Sequence, residues 1–329
     1  MSDKRQKYRL EPVTMNEDWD QFVEQSSYGT VYCSSAYLQA LDIPHQAYFC
    51  YKANERMAAL LLLLSEDRQH VVHHGLVVHD GIIYRDFPQL NQAQQHSEQF
   101  AIQTFMGETL AEQYHTITLT LSPKITDVRA LLWVNYHNHD AQFIPAIRYT
   151  SLIDITDFNG EITLNDNRLY QQASVARRQE IRYARKKSVS VCTSNNVTLL
   201  VDLYAKTMDR QAISMTEDTT QLIYRLVKRM LATHQAVMFQ ATTANNDVGS
   251  MSVFLLDGNT AHFLFGANDP LFRNEHTGTA VLWEAFYQLA KVGITDVNLE
   301  GINSPQRGWF KLSFGGTVVP YYQLTLQRN

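Results

Sequence analysis

The stretch from Thr279 to Leu326 constrains the chain more than any other. An apolar stripe over Ala280–Val292 predicts a helix that Gly293 stops. Asp296–Glu300 reads as a strand, Gly301 as a turn, Gly308–Gly316 as a short helical segment and Val318–Leu326 as a β-rich run. This order of helix, strand, short helix and strand determines where Lys311 goes. Trp309, Phe310, Leu312 and Phe314 flank it, so a short amphipathic helix would hold its ammonium beside apolar surface instead of in bulk water. A lysine held in this way can stabilise a developing oxyanion.

The 329 residues are enough for two domains, because single cores seldom grow beyond roughly 250 residues. A hydrophobic share of 45% and a charged share of 19% describe an ordinary globular composition. The start of the chain, Met1–Leu10, is polar and basic without an apolar core. The longest apolar run, Met57–Leu64, falls well short of the roughly 20 residues a membrane span needs. The expectation is a cytoplasmic protein with no membrane span. Cys33, Cys50 and Cys192 have neither metal-like nor redox-like spacing and read as small hydrophobes. A net charge of -5 argues against DNA as a partner and leaves any polyanion to a local basic patch.

Taken in order, Asp18–Gln25 and Ser34–Leu41 are short helices, the second capped by Ser34 or Ser35. Ala47–Ala53, Met57–Ser65 and Gln69–His74 are successive strands. Gln92–Glu112 is a helix with Phe100, Phe105 and Leu110 as its apolar residues, His115–Leu121 a strand, and Val128–Tyr136 a helix. These form one α/β module, in which we identify no catalytic motif. A strand over Thr150–Ile155 and a polar segment over Thr156–Asn167 mark a junction, giving modules 1–155 and 156–329 with no flexible linker between them.

A helix over Asn167–Lys187 carries Arg177, Arg178, Arg182, Arg185, Lys186 and Lys187 against one acid, Glu180. Arg178, Arg182 and Lys186 share a face, opposite an apolar stripe of Ala173, Ile181 and Ala184. That face is either a solvated surface with cations near a helix C-terminus or a phosphate-binding one. After a strand over Val189–Thr193 comes a helix from Val197 through Tyr204, Thr207 and Arg210. A second helix runs to His234, with a capping box of Ser214 and Glu217 and a stripe of Leu222, Leu226 and Met230. Strands over Ala236–Thr243, Gly249–Leu256 and Ala261–Ala267 then lead into the final stretch.

The segment Phe310-Lys311-Leu312-Ser313-Phe314-Gly315 resembles the Phe-Lys-x-x-Phe-Gly motif of the FemAB-like branch of the GNAT acyltransferases. Arg177-Arg178-Gln179-Glu180-Ile181-Arg182 and Thr207-Met208-Asp209-Arg210 are similar to further stretches of that branch. The resemblance implies an α/β (α+β) fold of two tandem GNAT-like modules, with mixed, mostly antiparallel sheets flanked by helices. It implies transfer of an acyl or aminoacyl group to an amine of a small-molecule or peptidoglycan-precursor acceptor, placed between the modules. The donor is acyl-CoA or aminoacyl-tRNA, and no cofactor is tightly bound.

GNAT enzymes that use acyl-CoA seat its pyrophosphate on a Gly-rich loop at a helix N-terminus. Here His276-Thr277-Gly278-Thr279-Ala280 corresponds, with Gly278 and Thr279 as candidate phosphate contacts. Glu275 stands where the family has Gln or Arg, and Arg273 can compensate. The alternative is a plain glycine-containing helix entry. The tRNA-using members usually carry a long charged coiled-coil hairpin, and none occurs between Arg168 and Asn329.

Lys311 is assigned to the oxyanion or to the leaving-group phosphate. Glu300 is the candidate base, or else a salt-bridged acid. Tyr321 is a candidate proton donor, although paired tyrosines such as Tyr321 and Tyr322 commonly pack within strands. His73, His74 and His79, and the pair His137 and His139, lack zinc-site spacing, so no metal is expected. No P-loop, nucleophile elbow or Gly-x-Gly-x-x-Gly fingerprint occurs. The rival reading is a non-catalytic GNAT-fold module that binds a phosphorylated ligand or RNA through Arg178, Arg182 and Lys186.

Overall fold

The computed structural model describes residues 7–138, 140–160 and 163–328. Met1–Gln6, His139 and the Glu161–Ile162 part of the polar segment lie outside the described residues. The chain divides into two units, Met1–Arg148 with Pro320–Asn329, and Tyr149–Val319.

The first unit begins with β1 (Tyr8–Val13), α1 (Glu17–Gln25) and α2 (Ser35–Leu41). Ser34 caps α2 by accepting the Tyr37 N–H, as the sequence suggests for one of its two serines. Then come β2 (His45–Lys52), β3 (Glu55–Leu63), β4 (His70–Val71), β5 (Gly81–Tyr84), α3 (Gln92–Gln113), β6 (Thr116–Thr120) and α4 (Arg129–Leu132). Strands β1, β2, β3 and β5 form an antiparallel sheet in that order. β6 pairs antiparallel with Gln323–Gln327 and parallel with β4.

β3 is apolar without alternation because Met57–Leu63 is buried on both faces. The sequence did not foresee β1, which alternates with charged residues, or the four-residue β5. The buried face of α3 is Ile102, Met106 and Leu110, spaced by four, while Phe105 is half-buried against the core and Phe100 packs edge-on to Trp133. The helix expected over Val128–Tyr136 shortens to α4, and Asn135 takes a left-handed φ of 59° beyond it.

β7 (Ile144–Asp154) leads into the second unit. It continues with α5 (Arg168–Gln172), α6 (Val175–Lys186), β8 (Ser190–Thr193), α7 (Val197–Asp209), α8 (Glu217–Ala232), β9 (Ala236–Thr242), β10 (Val248–Asp257), β11 (Thr260–Asn268), α9 (Thr277–Lys291), β12 (Asp296–Asn298) and α10 (Pro305–Leu312), and the chain returns to the first unit within β13 (Thr317–Gln327). The single basic helix expected over Asn167–Lys187 is two helices. Ala173 turns extended, and Ser174 caps α6 by accepting the Arg177 N–H at 3.2 Å. A serine able to bond the backbone two or three residues on favours a fresh start over a helix interior. The cap of α8 is Thr216, which accepts the Thr219 N–H, and not Ser214. Its buried stripe is Ile223, Leu226, Val227 and Met230, with Leu222 only half-buried.

The sheet of this unit runs β7-β12-β11-β10-β9-β8. Among the described residues, β11 and β12 are its one parallel pair, and the other neighbours are antiparallel. Parallel neighbours need a crossover, and α9 supplies it. Trp283 and Phe286 of α9 pack with Phe158, Phe239, Phe254 and Phe314 to form the core. Both the start of α9 and the turn into α10 therefore follow the carboxyl ends of the parallel strands, where α/β sheets leave a crevice for ligands.

Candidate active site

A cavity of about 650 Å³ opens in the second unit. β10 and β11 line it with Ser250 and Asn268, the start of α9 with Gly278 and Thr279, and α10 with Arg307 and Lys311. Its cations also include Arg177, Arg210 and Arg273, and its acids are Glu180 and Asp269. Asp269 is bound by Lys206 at 2.6 Å, and Glu180 by Arg177 at 2.5 Å. Among the described residues, no carboxylate lies within ion-pairing distance of Arg210, Arg273 or Arg307, so the cavity presents unneutralised guanidinium groups to a ligand.

The start of α9 is built for close approach. His276 enters it in the left-handed conformation, with φ 60°, and gives no side-chain cap. A Cβ on Gly278 would come 2.5 Å from Asn268 Oδ1, so any larger residue there must displace the Asn268 side chain. Asn268 Oδ1 accepts Ser250 Oγ, which lies 2.7 Å from Thr277 Oγ1. Thr279 Oγ1 donates to Glu180 Oε2 at 2.5 Å and accepts from Arg177. Glu275, the residue at odds with a phosphate site, is not on the cavity wall. Its carboxylate pairs with Lys187 at 3.2 Å, while Arg273 lines the cavity.

Lys311 is half-buried, and its Nζ donates to the Glu300 carbonyl at 2.7 Å. Burial pushes its pKa down to about 8; the Glu300 charge opposes that shift and the Arg307 charge adds to it. The apolar surface beside the ammonium is Phe263 of β11, whose ring centroid is 5.1 Å away. Trp309, expected to help shelter Lys311, is 76% exposed. Phe310 and Phe314 turn to Arg177, which lies 4.4 and 4.5 Å from their ring centroids. Arg177 Nε also donates to Ser313 Oγ at 2.9 Å. Burial holds the Arg177 pKa below its usual value, with the Glu180 charge opposing. The Phe-Lys-x-x-Phe spacing thus sends two rings to a buried arginine and the lysine to the strand end.

The other sequence candidates are placed as follows. Arg210, Arg273, Gly278 and Thr279 line the cavity with Lys311. Arg178, Arg182 and Lys186 do not line it: Arg178 is half-exposed, Arg182 donates to the Tyr170 hydroxyl at 2.8 Å, and Lys186 is exposed. Glu300 is buried, and its carboxylate is 2.8 Å from His262 Nδ1. Tyr321 belongs to the first unit, buried and edge-on to His79 at 5.0 Å. Selection by shared charged face passed over Arg177, whose inward turn at one residue before Arg178 follows from the helix restart at Ser174. It also passed over Arg307, four residues before Lys311. Among the described residues no group of three or more His, Cys, Asp or Glu side chains is arranged to hold a metal ion, and no helix is long and apolar enough to cross a membrane.

Residues 172–306 match the family model described as an acetyltransferase (GNAT) domain. No curated protein matches the chain by sequence. Among solved structures it is similar to FemX, at 12% identity and a TM-score of 0.63 over 95% of this chain and 96% of that one. L-PGS from Bacillus licheniformis is 11% identical with a TM-score of 0.54, over 95% of this chain and 91% of that one. A tandem GNAT protein from the clavulanic acid biosynthesis pathway is 10% identical with a TM-score of 0.53, over 98% of both chains. Residues 172–306 of the second unit thus match a GNAT domain model, and the chain is similar in fold to FemX and to the tandem GNAT protein.

Proposed function

We propose that this chain is an N-acyltransferase that moves an acyl or aminoacyl group from a phosphate-bearing activated donor to the amine of a small-molecule or cell-wall-precursor acceptor. The donor is acyl-CoA or aminoacyl-tRNA. The observation that carries this reading is that Lys311 and the glycine-opened N-terminus of α9 share one cavity with Arg210, Arg273 and Arg307. The Gly278 N–H and the helix dipole at the start of α9 meet the donor's phosphate, the Thr279 N–H being bonded to the His276 carbonyl at 3.1 Å, and the guanidinium groups add fork-shaped donors. The neutral amine attacks the ester or thioester carbonyl carbon. A C–N bond forms and the carbonyl oxygen takes the negative charge. Lys311, held by one N–H on the Glu300 carbonyl, has N–H donors left for that oxyanion. Collapse breaks the C–O or C–S bond, and the amine proton leaves with the released group or to solvent.

The rival reading, a non-catalytic module for a phosphorylated ligand or RNA, draws on that same bond from Lys311 to Glu300, which a purely structural lysine would also make. A thermal-shift series tests the donor, because a ligand that binds the native state raises its apparent stability by mass action. The panel is acetyl-CoA, longer acyl-CoAs, aminoacyl-tRNA, uncharged tRNA and UDP-linked muramyl peptides. A shift with a CoA assigns thioester chemistry, and a shift with aminoacyl-tRNA assigns aminoacyl transfer. An equal shift with uncharged tRNA and no turnover with any donor supports the binding module against an acyltransferase.

A further inference from the structure

We infer that His262 and Glu300 form a buried anchor that positions Lys311: the His262–Glu300 pair fixes a left-handed strand end whose carbonyl oxygen holds the lysine ammonium. That Lys311 serves acyl transfer rests on the function proposed above; the anchoring itself does not.

His262 lies on β11 opposite Asn298 of β12, and both are buried. Its Nδ1 is 2.8 Å from Glu300 Oε1 and its Nε2 is 3.4 Å from Asp257 Oδ2, so one imidazole links the end of β10 to the end of β12. Glu300 has φ 50°, and Gly301 after it has φ 43°. A non-glycine residue in that region is strained and persists where its surroundings hold it. The surroundings here are specific. Asn298 Oδ1 accepts the Glu300 N–H at 3.0 Å and also the Thr150 hydroxyl, while His262 holds the carboxylate. With both its amide and its side chain tied down, the Glu300 carbonyl has one direction, and Lys311 Nζ lies 2.7 Å along it. Gly301 lies beside the ammonium, where a Cβ would be in ordinary contact with Nζ at 3.6 Å. Glu300 is thus engaged through its backbone oxygen, and its carboxylate belongs to His262. His262 and Glu300 are positioning residues.

The test reads Lys311 directly and needs no substrate. Trace labelling with acetic anhydride, followed by mass spectrometry of the Lys311 peptide across pH, gives a titration midpoint and a limiting rate for the neutral amine. The limiting rate reports access and is not shifted by neighbouring charges. In His262→Ala and in Glu300→Gly the freed neutral amine of Lys311 is expected to label at least about fivefold faster at the limit, the factor a single hydrogen bond is typically worth. Glu300→Gln can still accept from His262 Nδ1 and is expected to label within about twofold of the native chain, within the range of one weak contact. Glu300→Gly suits the left-handed backbone, so it carries the test should His262→Ala not fold. Unchanged limiting rates in the folded variants, as judged by circular dichroism, overturn the anchor. If instead the rates rise as expected but Lys311→Ala leaves acyl transfer intact, the anchor stands and the catalytic assignment of Lys311 falls.

Discussion

The guanidinium of Arg177 lies 4.4 Å from the ring centroid of Phe310 and 4.5 Å from that of Phe314, which ties α6 to the helix that carries Lys311. Arg177 also reaches Ser313, Thr279 and Glu180, so one side chain joins three helices at the cavity wall. A lysine reproduces neither the stacking nor the fork of donors. Arg177→Lys is expected to cost about 2 kcal/mol of stability, the scale of a desolvated cation–π contact. Urea denaturation at neutral pH checks it, and a midpoint equal to the native one would contradict it.

Gly278→Ala sets a methyl 2.5 Å from Asn268 Oδ1 and displaces the Ser250–Asn268 bond beneath the helix start. We expect the protein to fold and its donor affinity to fall at least about tenfold, equivalent to roughly 1.4 kcal/mol. Titration with whichever donor gives a thermal shift measures this directly.

Glu275→Gln is expected to leave donor affinity unchanged and stability within about 0.5 kcal/mol, because a partly exposed pair with Lys187 is worth little. Arg273→Ala, on the cavity wall, is expected to weaken the same donor about fivefold or more, as loss of a charge-assisted hydrogen bond does. A matched titration of the two variants distinguishes the wall residue from its neighbour outside.

The pair at positions 273 and 275 shows what the sequence could and could not reveal. The loop and helix entry were legible from Gly278 and the apolar run behind it, and so were the three strands that precede them and the position of Lys311 on a short helix. Which way Glu275 turns was not legible, since it depends on Lys187 from a helix 88 positions away in sequence. Arg178, Arg182 and Lys186 do share a face by spacing, but the cavity is reached by Arg177, because Ser174 restarts the helix and Phe310 and Phe314 receive the guanidinium. Glu300 could be read as a strand-end acid, but its partner His262 comes from the neighbouring parallel strand, a pairing only the crossover creates.

His262 gives stability a pH dependence of definite sign. Burial alone would lower its pKa, but the hydrogen bonds and charges of Asp257 and Glu300 raise it to about 9 from an ordinary 6.5. A raised pKa contributes stability that is fully present below about 6.5 and lost as pH climbs through about 9. Lys311, lowered to about 8 from 10.5, acts in the opposite sense above pH 8. Between about pH 6.5 and 8 the His262 contribution therefore declines without that opposition, and His262→Gln is expected to flatten the decline. Urea midpoints of the native chain and the variant across that window provide the comparison, and parallel slopes would contradict it.

The most direct measurement is acyl transfer from a bound donor by the native chain and by Lys311→Ala, with donor affinity measured on the same samples. The account expects Lys311→Ala to bind the donor within about threefold of the native chain and to lose transfer by about a hundredfold, the scale of removing one oxyanion donor. Transfer at the native rate by a Lys311→Ala chain that still binds donor would contradict the claim that this lysine stabilises the reaction.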